Sequence, residues 1–282
     1  MPGMNINAET KVFGLLGSPI AHSLSPTLYN QLFAQLELNA VYVPFEVLAS
    51  RAAEAIAELV SLGISGANLT LPCKGHVGVF DQLSPAAAAS GAVNVAVVQG
   101  GRLLGFNTDG EGFVRALVER CSRGPDGAKV AIFGAGGAAR AVAQAVAEHG
   151  CETVSLLNRT QEHAQLACER LAQAYPRVCF EAVALELDAV TKATARADLV
   201  VNALPEVASG WVDDLSMEHL QQHTIWCDLN YWMSEPPAAS RCGQRGIQFV
   251  GGLGMFAQQA AMSFELFTGH NIAPTRILTL LR

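Results

Sequence analysis

Lysine is scarce in this chain: four in 282 residues, at positions 11, 74, 129 and 192. Charge of any kind is sparse, at 15% of residues, and leans acidic, with 25 Asp and Glu against 18 Lys and Arg for a formal charge of -7. There is no basic stripe, which excludes a nucleic-acid-binding surface, and no basic amphipathic segment of the kind that lies on a membrane. No Cys-x-x-Cys pair occurs. The seven cysteines, at 73, 121, 151, 168, 179, 227 and 242, are scattered and odd in number. They read as free thiols in a reducing compartment, so a cytoplasmic protein is expected. The N-terminal residues lack the basic and apolar regions of a signal peptide. Residues 82–101 carry no charge at all, yet they are mostly Ala, Gly, Ser, Asn and Gln, too polar for a membrane span. Internal repeats and low-complexity linkers are missing too. Nothing fixes the oligomeric state, and a homodimer stays open.

Half of the residues are apolar, enough for two buried cores at this length. "KVFGLLG" (11–17) reads as a buried strand. Leu28, Leu32, Phe33 and Leu36 follow at helical spacing behind Pro26. "AVYVPFEV" (40–47) and "SGANLTLP" (65–72) read as strands, and residues 50–63 as a helix stopped by Gly63. Residues 92–109 read as two strands about a Gly-Gly turn. Residues 110–121 read as a helix with Phe113, Val114, Leu117 and Val118 on one face. A second unit starts after the loop 122–128, as a strand, a glycine turn and a long Ala-rich helix. Further strands are expected at 153–160, 197–204, 224–230 and 247–252, and a helix from Met255 with Phe256, Ala260, Ser263 and Phe267 on one side. Alternating strands and helices predict an α/β fold with a largely parallel sheet.

Several short stretches carry candidate chemistry. "GAGGAA" (134–139) fits G-x-G-x-x-A between a strand and a helix. Gly134 permits the tight turn, Gly136 lets backbone approach a pyrophosphate, and Ala139 lets the helix pack on the strand. Close packing alone is the competing account. Arg159 follows the next strand, where an acid would select NAD and a base suits a 2′-phosphate; otherwise it is a solvated surface arginine. Lys74, at the exit of a buried-looking strand, can hold a proton for chemistry, or it is an exposed lysine in a first helical turn. Asp109 and Ser25 each read equally well as helix N-caps. His219 and His223 lie four apart, a spacing that could bind metal on a helix, but no third ligand accompanies them, so a surface pair and no metal site are expected. His22 reads as a structural hydrogen-bonder. Trp211, Trp226 and Trp232 form a late cluster with no assignable role.

Taken together, "SPIAHSLSPTLYN" (18–30), "NLTLPCKG" (68–75), "GAVN" (91–94), "GFNTDGEGF" (105–113), "GAGGAAR" (134–140), "NRT" (158–160), "DLNY" (228–231) and "GGLGMFAQQAAMSFELFTG" (251–269) resemble the shikimate dehydrogenase family over nearly the whole chain. The resemblance implies a substrate-binding α/β domain (1–109), a Rossmann-type doubly wound NADP-binding domain (110–250) and C-terminal helices (251–282) that return to the first domain, with the active site in the cleft between domains. It implies NADP-dependent interconversion of 3-dehydroshikimate and shikimate, a step towards chorismate and the aromatic amino acids. By the same resemblance Ser23 and Ser25 bind the substrate carboxylate with Tyr231 nearby, and Asn68, Thr70, Asn94 and Gln259 read the ring hydroxyls. Lys74 and Asp109 match the acid–base pair. Gly134, Ala135, Gly136, Gly137, Ala138, Asn158, Arg159, Thr160 and His163 match the cofactor site, and Gly252 matches a backbone contact to the nicotinamide.

The chain departs from the family pattern in three places. Where Asn-Ala-Thr and a Gly-Met loop are usual near the cofactor, it reads "NALPEVASG", with Leu204 for the threonine. "WMSEPPA" follows "DLNY", which puts Trp232 near the substrate mouth. His163 stands where a second basic residue is common. Two further readings compete: a paralogue that prefers quinate or another cyclohexane hydroxy acid, with NAD as an alternative cofactor, and a catalytically silent ligand sensor on the same scaffold.

Overall fold

The computed structural model describes residues 6–231 and 236–281, so Trp232 lies outside the described residues. The chain divides into two compact units. One runs to Thr108 and resumes at Ala257; the other is Asp109–Phe256.

In the first unit the elements are β1 (Lys11–Gly17), α1 (Ser25–Gln35), β2 (Ala40–Glu46), α2 (Ala52–Ala57), β3 (Gly66–Leu69), β4 (Gln82–Leu83), α3 (Pro85–Ser90), β5 (Val95–Gln99) and β6 (Arg102–Phe106). They form a six-stranded sheet in the order β2-β1-β3-β5-β6-β4. The sheet is parallel-rich, with three parallel pairings (β4 with β6 among them) and two antiparallel ones. β1 runs parallel to β2 and β3, whereas the Gly100-Gly101 turn folds β6 back on β5, and β5 is also antiparallel to β3. β1 lies between two parallel partners, and its residues from Phe13 to Leu16 pack on both faces, hence the unbroken apolar run. α1 buries Leu28, Tyr29, Leu32 and Phe33 completely. Each such side chain contributes roughly 1.5–3 kcal/mol. Tyr29 stacks on Tyr42 of β2 at 4.6 Å between ring centroids.

The second unit begins with α4 (Asp109–Cys121). It continues as β7 (Lys129–Phe133), α5 (Gly137–Glu148), β8 (Thr153–Asn158), α6 (Gln161–Ala174), β9 (Cys179–Ala184), α7 (Leu187–Ala195), β10 (Leu199–Asn202), α8 (Glu206–Asp213), β11 (Ile225–Asp228), α9 (Pro237–Arg245) and β12 (Gln248–Gly251). Its six strands are all parallel, in the order β12-β11-β10-β7-β8-β9, a doubly wound sheet whose winding reverses between β7 and β10. Residues of β7 alternate between two cores. Val130 and Ile132 join α4, α5 and α6 on one face; Ala131 and Phe133 join α7, α8 and α9 on the other. The last helices are α10 (Leu253–Thr268), in which the division between units falls, and α11 (Pro274–Leu280) of the first unit. In that unit Phe264 stacks on Tyr29, and Phe267 packs 5.0 Å from Phe13. Among the described residues no helix is long and apolar enough to cross a membrane.

Several expectations are corrected. The helix expected over 50–63 is only α2, preceded by a 3₁₀ turn and followed by turns up to Gly63. Ser25 is not a cap: Leu24 occupies the N-cap, and it is the Ser23 hydroxyl that accepts the Ser25 N–H, at 3.3 Å. Asp109 is the first helical residue of α4 rather than the residue before it. Val118 turns outward from that helix, at 45% exposure. His219 and His223 do not lie on a helix. His219 meets Thr194, and His223 pairs with Asp198 at 3.3 Å. Among the described residues no cluster of three or more His, Cys, Asp or Glu could hold a metal.

The contact between α4 and α5 leaves no room for a side chain at Gly110. A Cβ there would sit 2.2 Å from the Ala141 carbonyl oxygen. Gly110→Ala is expected to destabilise the chain by roughly 1–3 kcal/mol, as overpacking against backbone does. Urea unfolding checks it, and an unchanged midpoint would refute the close contact.

Candidate active site

The carboxyl ends of β1 and β3 bring two of the quoted segments side by side. Ser18 N–H donates to Leu71 O at 2.7 Å, and Thr70 N–H donates to Leu16 O at 2.9 Å. Ser23 and Ser25 therefore stand in the loop and first turn after β1, and Thr70 and Lys74 in the segment after β3. Lys74 is half-buried in a 3₁₀ turn (Cys73–Gly75), and its carbonyl accepts the Val93 N–H at 2.8 Å. Cys73 beside it is fully buried, and burial pushes its thiol up to about 11, so it is no nucleophile at neutral pH.

Asn68 and Asn94 are nearly buried and highly connected. Tyr42 Oη donates to Asn68 Oδ1 at 2.9 Å, and Asn68 Nδ2 reaches Asn94 O and Ser263 Oγ at 3.3 and 3.2 Å. Asn94 Nδ2 donates to Thr108 Oγ1 at 2.9 Å, while Asn94 Oδ1 accepts Thr108 N–H at 2.8 Å. Thr108 and Ser263 both donate to the backbone carbonyl of Gln259, which ties α10 into the same network. By contrast, the hydroxyls of Ser23, Ser25 and Thr70 and the side-chain amide of Gln259 donate to none of the described residues. Tyr42, Thr108 and Ser263 are absent from the sequence-predicted set. Ser263 had a signal, a hydroxyl on the inward face of an otherwise apolar helix.

The second unit holds the glycine turn at the point where strand order reverses. Gly134 takes φ +107, a conformation natural to glycine, and its N–H donates to Leu157 O at 2.7 Å. Gly136 caps α5. A Cβ added there would meet nothing within 4 Å, so the helix N-terminus opens onto free space, while Ala139 is fully buried against the sheet. Ala135 is buried, and Gly137 and Ala138 are half-buried. At the end of β8, Asn158 Nδ2 donates to Thr160 O at 2.9 Å and folds the turn that presents Arg159. Arg159, Thr160 and His163 are exposed, and Arg159 has no ion pair among the described residues. These residues fit a dinucleotide carrying an extra phosphate: an open helix N-terminus for the diphosphate, and a free cation with no acid at the ribose position. Gly252 has a packing reason of its own, because a Cβ would sit 2.4 Å from Leu229 O. Tyr231 is half-buried against Phe256 at 4.6 Å between centroids. Asp109 is 5% exposed, and it belongs to this unit whereas Lys74 belongs to the other.

Family models match three stretches of the chain: "Shikimate dehydrogenase substrate binding domain" over residues 15–96, "Shikimate / quinate 5-dehydrogenase" over 116–229, and "Shikimate 5'-dehydrogenase C-terminal domain" over 252–277. The shikimate dehydrogenase (NADP(+)) of Desulforamulus reducens is 39% identical over 97% of this chain and 94% of its own length. The chain belongs to the shikimate dehydrogenase family. The Methanopyrus kandleri enzyme of the same name is 37% identical over 98% and 96%. Among solved structures, the shikimate 5-dehydrogenase of Listeria monocytogenes in complex with shikimate and NAD aligns with TM-score 0.86 at 30% identity, covering 98% of both chains. That of Thermus thermophilus with NADP(H) and shikimate aligns with TM-score 0.79 at 32% identity, covering 96% of this chain and 98% of the other. The family membership accounts for the Rossmann-type second unit and the α/β first unit together.

The Tyr42 hydroxyl fixes which way the Asn68 amide faces. Tyr42→Phe removes the donor to a buried carbonyl and is expected to cost about 1–3 kcal/mol in unfolding free energy. Equilibrium urea denaturation reads this, and a variant as stable as wild type would mean that water or another group satisfies Asn68.

Proposed function

We propose that this chain is an NADP-dependent oxidoreductase that interconverts 3-dehydroshikimate and shikimate. The observation that carries the reading is the set of hydroxyls at Ser23, Ser25 and Thr70, which spend no proton on the described residues at the carboxyl ends of β1 and β3. Neutral donors of this kind hold a carboxylate and ring hydroxyls by charge-assisted bonds without a competing cation. Ser23 and Ser25 take the carboxylate with Tyr231 near it, and Asn68, Thr70, Asn94 and Gln259 read the ring. Gly134 to Ala138, Asn158, Arg159, Thr160 and His163 take the cofactor, with Gly252 as a backbone contact.

Bound NADPH supplies the hydride that reduces C3. Lys74 gives a proton to the C3 oxygen as it becomes an alkoxide, and takes it back in the oxidative direction, with Asp109 as its acid–base partner. The seven free cysteines support a reducing, cytoplasmic setting. Light scattering separates monomer from homodimer.

The experiment is a spectrophotometric screen of shikimate and quinate with NADP and NAD. Turnover fastest with shikimate and NADP is the expected result. Preference for quinate would make the chain a paralogue, and tight shikimate binding without turnover would make it a sensor. Lys74→Ala is expected to lower kcat by roughly 10²–10⁴-fold with a much smaller change in shikimate affinity. A variant that keeps more than about a tenth of wild-type kcat removes Lys74 from the chemistry.

Arg159 supplies one charge-assisted contact to the 2′-phosphate, which corresponds to roughly 10–150-fold discrimination for NADP over NAD. Arg159→Ala is expected to lose most of it, measured as the ratio of the two Kd values. A variant that still prefers NADP about tenfold would transfer the selectivity to another group such as His163.

A further inference from the structure

Two buried polar residues of the second unit have no part in the reaction above. Asn202 closes β10 and Asp228 closes β11, each at its carboxyl end, with exposures of 1% and 4%. Asn202 Nδ2 donates to Asp228 Oδ2 at 3.1 Å. Asn202 Oδ1 accepts the Leu204 N–H at 3.2 Å, and Asp228 Oδ1 accepts the Asn230 N–H at 3.0 Å. A single hydrogen-bonded chain thus runs from the backbone leaving β10 to the backbone leaving β11. Its polarity is forced. A carboxylate only accepts, so the Asn202 NH₂ must face Asp228, and the Asn202 carbonyl is left for Leu204.

Both strand exits carry candidate site residues. A Cβ at Gly134 would lie 3.3 Å from Ala203 O and 3.5 Å from Leu204 Cδ2, so the β10 exit is the wall of the glycine turn. The β11 exit leads through Asn230 to Tyr231, and the carbonyls of Asp228 and Leu229 press against Gly252. Burying a carboxylate is costly, and two apolar side chains could close these strands more simply. Apolar closures, however, would leave the N–H groups of Leu204 and Asn230 without these acceptors.

We infer that Asn202 and Asp228 are positioning residues, which set the wall of the glycine turn and the Tyr231 turn together through one hydrogen-bond chain of fixed polarity. The inference rests on the reading that the glycine turn takes NADP and Tyr231 faces the substrate. It implies that the chain can be inverted. Asn202→Asp alone sets two carboxylates face to face, and Asp228→Asn alone sets two amides in conflict. With both substitutions, the new amide at 228 donates to the new carboxylate at 202. The other oxygens still accept from Leu204 and Asn230.

The test compares wild type, both single variants and the double variant, well below their unfolding temperatures. NADP⁺ Kd is read by fluorescence titration, and KM and kcat with shikimate. Each single variant is expected to weaken NADP⁺ binding about tenfold or more and to raise the shikimate KM by more than it lowers kcat. The double variant is expected to bind NADP⁺ at least about tenfold tighter than the weaker single variant, as coupled residues do in a double-mutant cycle. A double variant no better than the singles, or a single variant that binds like wild type, overturns the inference. Where a single variant does not fold, Asn202→Ala breaks the link without opposing like groups; it must show the same loss, and wild-type affinity there overturns the inference too. Failure of the wild type to bind NADP⁺ defeats the functional reading instead.

Discussion

The first unit depends on the way Asn94 is bonded. Its N–H donates to Phe106 O at 3.0 Å, its carbonyl accepts the Leu69 N–H at 2.8 Å, and its side chain grips Thr108 in both directions. The ends of β3, β5 and β6 therefore meet on one residue, and through Thr108 the backbone of α10 joins them. At 3% exposure, an unmet polar atom here would cost as much as any apolar contact nearby contributes. The network thereby fixes the end of β3, beside which the unspent Thr70 hydroxyl stands. A buried polar network of this kind specifies one arrangement because partial satisfaction is worse than none.

Two classes of polar group can now be told apart. Asn68, Asn94, Thr108, Asn202 and Asp228 are nearly buried and bonded within the chain, and they shape the strand exits. Ser23, Ser25, Thr70 and Gln259 hold hydrogen-bonding capacity in reserve. The resemblance names members of both classes as substrate contacts without separating them. The separation comes from hydrogen-bond geometry alone.

The glycine turn was legible because it stands between a strand and a helix, with Gly134 at a positive φ natural to glycine and Ala139 packed flat against the sheet, and the parallel strands because burial on two faces demands unbroken apolar runs. Other features had no such signature. The segment 161–195 goes unassigned by pattern; in it β9 is a half-buried edge strand, and α6 and α7 mix polar and apolar residues. The mixed character of the first sheet follows from which strand pairs with β5, a long-range choice that periodicity does not encode. Ser25 looked like a cap because serine before proline so often is one, but the helix starts a residue earlier and Ser23 supplies the acceptor. Asn202 and Asp228 were visible only as polar residues ending apolar strands. That they face one another depends on β10 and β11 being neighbours in register, Asn202 opposite Asp228.

The groups held in reserve are serine, threonine and glutamine, and none of them has a fixed hydrogen-bonding sense. A hydroxyl can turn its proton towards a ligand or away, and an amide presents a donor on one side and an acceptor on the other. A ketone oxygen only accepts, whereas an alcohol both gives and takes. A cradle of such groups can serve either partner of a carbonyl–alcohol couple by rotating a few bonds, with no change of charge. For the proposed reaction, the ring in either oxidation state would meet the same neutral cradle, and passing from one to the other would demand no rearrangement of charge among these groups.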